Sequence, residues 1–194
     1  MQEKTFFQKN VAWILIVVVI VIFALWGVSR YNSFISQNEA VNGQWAQVDT
    51  QLQRRFDLIP NVVAATKGIA KQEQVVFGQI ADARSHYAGA ATVDEKAAAA
   101  GQFESALGRL LVITENYPDL KSSQSFRDLT VELEGSENRI SVERMKYNDL
   151  VRDFNTAVKR FPSSVVAKIA GVSERAYFQV EDAAKTVPKV DFTQ

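Results

Sequence analysis

Eighteen consecutive residues, VAWILIVVVIVIFALWGV (Val11–Val28), carry no charge, and that run limits what the rest of the chain can be. Wound as a helix at 1.5 Å per residue it is about 27 Å long, close to the thickness of a bilayer's hydrocarbon core. Trp13 and Trp26 sit near its two ends, where indole rings favour the membrane–water interface. A cleaved signal peptide has a shorter apolar region and a small-residue cleavage site. Here the run passes straight into Arg30-Tyr31-Asn32. A retained transmembrane helix is therefore expected over residues 11–29, after a short flank of residues 1–10. Lys4, Lys9 and the amino terminus precede it, against Arg30 alone in the residues that follow. The positive-inside rule then puts the N-terminus in the cytoplasm and the rest on the outer, periplasmic side of a bacterial inner membrane.

Charge and composition narrow the remainder. The chain's 22 basic residues equal its 22 acidic ones, so no basic excess is present to neutralise phosphates, and no nucleic-acid partner is expected. Cysteine is absent, which excludes disulfides, thiolate metal sites and cysteine nucleophiles. Nine glycines and four prolines in 194 residues suit helices better than a turn-rich β protein.

Beyond the anchor, apolar residues return every three or four positions: Tyr31, Phe34, Ile35, Val41, Trp45, Val48, Leu52 and Phe56. That spacing is the seam of an amphipathic helix, and one rod is expected to rise out of the bilayer. Pro60 interrupts it. A proline inside a helix removes a hydrogen bond and clashes with the preceding turn, a loss of about 3 kcal/mol. As the first residue of a new helix it loses nothing. The seam resumes at Val62, Val63, Ile69, Val76, Phe77, Ile80 and Tyr87, so Arg54, Arg55, Asp57 and Pro60 are read as the tip of a helical hairpin. Thr92 and Glu95 have capping-box spacing and open a third helix through Phe103, Leu107, Leu110 and Leu111 to Pro118. A fourth runs from Ser122–Ser125 to Phe161, either continuous or broken near Gly135-Ser136. These elements predict an all-α fold, a transmembrane helix continuing into an antiparallel up-and-down four-helix bundle over residues 30–161. A tail over residues 162–194 is expected to pack on the bundle or trail from it, with a short helix at Ser164–Ala170 and the final VPKVDF extended.

Four polar residues fall on the apolar seams: Asn38, Glu73, Glu137 and Arg144. A buried carboxylate is costly unless paired. They read as a buried polar layer that fixes helix register, or else as a binding or proton-linked site. Catalytic and metal chemistry find no donors. The single histidine, His86, has no glutamate three residues before it, as four-helix di-iron sites require, and no phosphate loop or nucleophile elbow occurs. No cofactor is expected. Arg54-Arg55 reads as a solvated basic pair or a contact for an acidic partner.

Three blocks carry a family resemblance. They are WAQVDTQLQRRFDLIPNVV (Trp45–Val63), TENYPDLK (Thr114–Lys121) and LTVELEGSENRISVERMKYNDLVRDFN (Leu129–Asn155), the last followed by Phe161-Pro162. In this order they resemble the LemA family of small bacterial membrane proteins, over about Tyr31 to Phe178. Val172 and Phe154 depart from the family pattern at positions where it favours aromatic residues and tyrosine. The resemblance implies a helical bundle on a membrane stalk and no established enzymatic activity. One branch of the family belongs to magnetosome membranes and is associated with forming or shaping them. The expected function is a non-enzymatic scaffold in contact with membrane lipid, self-associating as a homo-oligomer. The alternative is an adaptor or sensor binding another envelope protein or a small ligand.

Overall fold

The computed structural model describes residues 3–69, 71 and 73–179. In these, helices follow in the order α1 (Glu3–Phe56), α2 (Ile59–Ala65), α3 (Gln74–Gly89), α4 (Val93–Thr114), α5 (Pro118–Ser122), α6 (Gln124–Lys159) and α7 (Ser163–Ile169). The fold is all-α with one N-terminal apolar helix. The expected simple four-helix bundle is corrected, because the short helices α2 and α5 interrupt the plan, while α7 falls where a short tail helix was expected.

The reasons are local. Pro60 lies at the first positions of α2, as expected, but α2 ends after seven residues. Its C-cap Thr66 is buried and turns its hydroxyl back onto the Val62 carbonyl, a bond that competes with helix continuation. The chain then winds through turns in which Ile69 N donates to Thr66 O and Glu73 N to Ile69 O. Ile69 is buried, plugging the corner. Between Phe56 and Gln74 the described residues therefore form a short helix followed by turns. Likewise Pro118 opens α5 instead of closing α4, which ends at Thr114. The long helices follow the seams more closely. α1 runs unbroken for 54 residues, from the apolar run into the polar part of the chain. α6 runs for 36 residues straight through Gly135-Ser136, where the Ser136 hydroxyl donates to the Leu133 carbonyl at 2.7 Å. α4 begins with the complete capping box of Thr92 and Glu95.

The chain forms two compact units. Unit 1 comprises residues 1–42 and 150–175. Its core brings Phe34 and Val41 of α1 together with Val151, Phe154 and Val158 of α6 and Ala167 of α7, and the rings of Phe34 and Phe154 meet edge to face at 6.4 Å. Gly171, at φ +67°, ends α7 in the left-handed region that glycine adopts without strain. The returning chain is clamped by buried Asn155, whose side chain donates to the Arg175 carbonyl at 2.9 Å and accepts from the Arg175 N–H at 2.8 Å. Arg175 in turn donates to Asn42 at 2.6 Å.

Unit 2 comprises residues 43–149 and 176–194. Phe56, Ile59, Val62, Ile80, Phe103, Leu110 and Leu133 belong to one buried cluster drawn from α1, α2, α3, α4 and α6. The Phe56 ring stacks on Tyr87 at 4.3 Å and leans on Phe103 at 5.1 Å. Trp45 packs against Tyr147 and against Phe178 of the returning chain. Phe178 is held on both backbone sides by the Asn148 side chain, at 2.9 and 3.1 Å. VPKVDF (187–192) lies outside the described residues.

Candidate functional site

Unit 2 is joined by two polar constellations that the helix seams bring inward. The first centres on Arg55 in the last turn of α1, one position before the core residue Phe56. That phase leaves Arg54 exposed and Arg55 only 5% exposed. The guanidinium donates from Nη1 to Glu137 of α6 and from Nη2 to Glu104 of α4. It also lies 5.4 Å over the Phe103 ring. Among the described residues its Nε has no hydrogen-bond partner. The carboxylate side chains are 37% exposed for Glu137 and 52% for Glu104, so a dry cation meets two half-wet anions. The same residues border a groove of about 360 Å³ floored by Leu107, Leu111 and Leu133.

The second constellation is Asp49 of α1, Tyr87 of α3 and Lys96 of α4. The Tyr87 hydroxyl donates to Asp49 Oδ1 at 2.7 Å, and Lys96 Nζ reaches the same oxygen at 2.6 Å. The ammonium also lies over the Tyr87 and Trp45 rings. Burial, and then the Asp49 hydrogen bond, push the Tyr87 phenol above its ordinary value. Three helices are thereby fastened through one carboxylate.

The other seam residues separate. Glu73 stands at the N-terminal end of α3 and accepts from the Tyr117 hydroxyl at 3.2 Å. Arg144 lies 5.1 Å over the Phe178 ring, its buried Nε without a partner among the described residues. Asn38 is half-buried and belongs to unit 1. Asp57 and Pro60 are exposed. Glu137 pairs with Arg55, a partner that the seam reading did not assign. Asp49 and Lys96 escaped that reading altogether. The available signal was Asp49's place four residues after Trp45 and three before Leu52, squarely on the α1 seam.

The anchor side chains Val11, Trp13 and Val28 are exposed. The half-buried Trp26 ring carries the Arg30 guanidinium at 5.8 Å. Among the described residues, α1 is the one helix long and apolar enough to cross a membrane, and none of its apolar window is buried within the protein. No group of three His, Cys, Asp or Glu among the described residues is placed to hold a metal ion. His86 is exposed and shares a hydrogen bond with Gln102.

An exposed apolar helix leading into helices that ion pairs fasten within unit 2 defines a single-anchor, membrane-associated helical protein. The LemA family model matches residues 44–192, and the chain belongs to this family. Two magnetosome proteins of Paramagnetospirillum magneticum, MamQ 1 and MamQ 2, are each 26% identical over 183 residues, covering 81% of this chain and 67% of the relative. Magnetosome protein MamQ of Magnetospirillum gryphiswaldense is 27% identical with the same coverage.

Proposed function

We propose that the protein is a membrane-anchored helical scaffold that self-associates and organises or remodels the bacterial cell envelope, with its helical units on the periplasmic side of the inner membrane. The observation that carries this reading is α1. One unbroken helix is apolar over Val11–Val28, exposed over residues 13–25, and then contributes Phe34, Val41, Val48, Leu52 and Phe56 to buried cores. Anchor and helical protein are thus one continuous element, with no linker to uncouple them. The similarity to magnetosome proteins across 81% of the chain points the same way. Anchoring confines copies to two dimensions, which raises their effective concentration. The balance of 22 basic and 22 acidic residues removes long-range repulsion between them.

Electron microscopy of the detergent-extracted protein tests this reading. Closed or ring-like homo-oligomers are expected. Uniform single copies would favour the adaptor reading instead, for which the groove beside Arg55, Glu104 and Glu137 is the available surface.

A further inference from the structure

Unit 1 carries an apolar stripe that none of its described residues covers. Phe161 is 79% exposed, Val165 49% and Ile169 84%, spaced four residues apart along the corner into α7 and along α7 itself. Ser163 and Ala167, on the other side of the same short helix, are buried. Exposed Arg160 adjoins the first apolar residue and exposed Lys168 the last. Single exposed apolar side chains are ordinary. Three in register, flanked by cations, form the pattern of a helix that lies in a membrane interface.

The height of this stripe follows from chain tracing within the unit. α1 leaves unit 1 at Asn42 and α6 enters it at Leu150, so the two helices run in opposite directions there. They meet at the Phe34–Phe154 ring contact. α6 ends at Lys159, five residues past Phe154, and five residues before Phe34 on α1 is Ser29. The end of α6 therefore stands level with the residue that follows the charge-free run Val11–Val28. Phe161 and α7 come next in the chain, starting from the level at which α1 would leave a bilayer.

We infer that the Phe161 corner and α7 rest in the headgroup–acyl boundary of the bilayer that α1 crosses, with Phe161, Val165 and Ile169 against the acyl edge and Arg160 and Lys168 on lipid phosphates. Seven helical residues are too few to hold a soluble protein on a membrane. Here α1 already supplies the localisation, so the contact forms between groups kept at high effective concentration. Its consequence is a second point of attachment, which fixes how unit 1 stands on the membrane. The inference depends on α1 spanning the bilayer and is independent of self-association.

Full-length protein in phosphatidylcholine–phosphatidylglycerol vesicles provides the test. The natural chain has no cysteine, so an environment-sensitive nitrobenzoxadiazole dye can be placed at Val165→Cys or Ile169→Cys without competing sites. Ile20→Cys in the anchor serves as the membrane control and Val112→Cys, exposed in unit 2, as the water control. Dyes at 165 and 169 are expected to emit at shorter wavelength than at 112, and to be quenched by lipids spin-labelled near the headgroup. Arg160→Gln and Lys168→Gln should each shift the ratio of lipid-seated to lifted α7 about fivefold toward lifted, and phosphatidylcholine alone should do the same. Water-like emission at 165 and 169 while the dye at 20 is quenched overturns the inference and leaves the anchor standing. A blue-shifted dye that lipid quenchers do not reach also overturns it, since protein would then cover the stripe. Failure of quenching at 20 would instead strike at the anchor.

Discussion

Replacing Arg55 with methionine keeps most of the side chain's length and removes its charge, which isolates the guanidinium's contribution to unit 2. The side chain now makes two charge-assisted bonds, to Glu104 and Glu137. Such bonds contribute roughly 1.5–3 kcal/mol each. The acceptor side chains are 52% and 37% exposed, so both carboxylates regain water when the cation leaves, and screening reduces the two bonds together to roughly 2–3 kcal/mol. Burying the apolar end of the methionine returns about 1 kcal/mol. The expected net loss is about 1–2 kcal/mol, or a fall in Tm of roughly 2–8 °C for a chain of this size. Thermal unfolding of the full-length protein in mild detergent, followed by circular dichroism, reads it directly. Glu137→Gln and the double variant complete a cycle in which a coupling of about 1 kcal/mol is expected. A methionine variant as stable as the parent, with additive effects across the cycle, would show that Arg55 holds neither α4 nor α6.

Trp45→Ala removes a half-buried ring from between Tyr147 and Phe178, and urea unfolding should show a loss of about 2–4 kcal/mol, below the figure for a fully buried aromatic. A parent-like midpoint would mean that the ring does not support the returning chain. Tyr87 keeps its proton in the folded state above the ordinary phenol value of 10.0, whereas the unfolded chain releases it there. Its contribution is therefore complete below about pH 10 and is lost as pH rises beyond that, a decline that Tyr87→Phe should flatten in alkaline melts. Unchanged alkaline melts in that variant would detach Tyr87 from the effect. An impermeant thiol label on Ser85→Cys should react in outer-permeabilised cells with the cytoplasm sealed, and labelling only after the cytoplasm is opened would reverse the orientation.

What the sequence made legible was periodicity that a single helix can satisfy. Val41, Val48, Leu52 and Phe56 announced the buried face of α1, and Thr92 with Glu95 announced the start of α4, because helix phase and capping are set within a few residues. Pro60 and Pro118 were legible as boundaries, but not for what lay beyond them. α2 stops at Thr66 because its side chain bonds back to Val62 and Ile69 fills the corner, and neither act leaves a mark on the apolar spacing. Polar partners were the least legible. Arg55 and Glu137 are separated by 82 positions, and spacing along one helix says nothing about which residue of another it meets. Charge conserves no period, so nothing in the spacing tied Glu137 to Arg55. Glu104 and Lys96 face carboxylate or cation partners across helices for the same reason.

Self-association is the central claim, and mass photometry of the full-length chain in mild detergent, beside a form lacking residues 1–30, tests it most directly. The full-length protein should give one discrete species of several copies that persists on dilution, while the shortened form runs as a monomer or a weak, concentration-dependent oligomer. A full-length species no larger than one chain and its micelle at every concentration would contradict the scaffold.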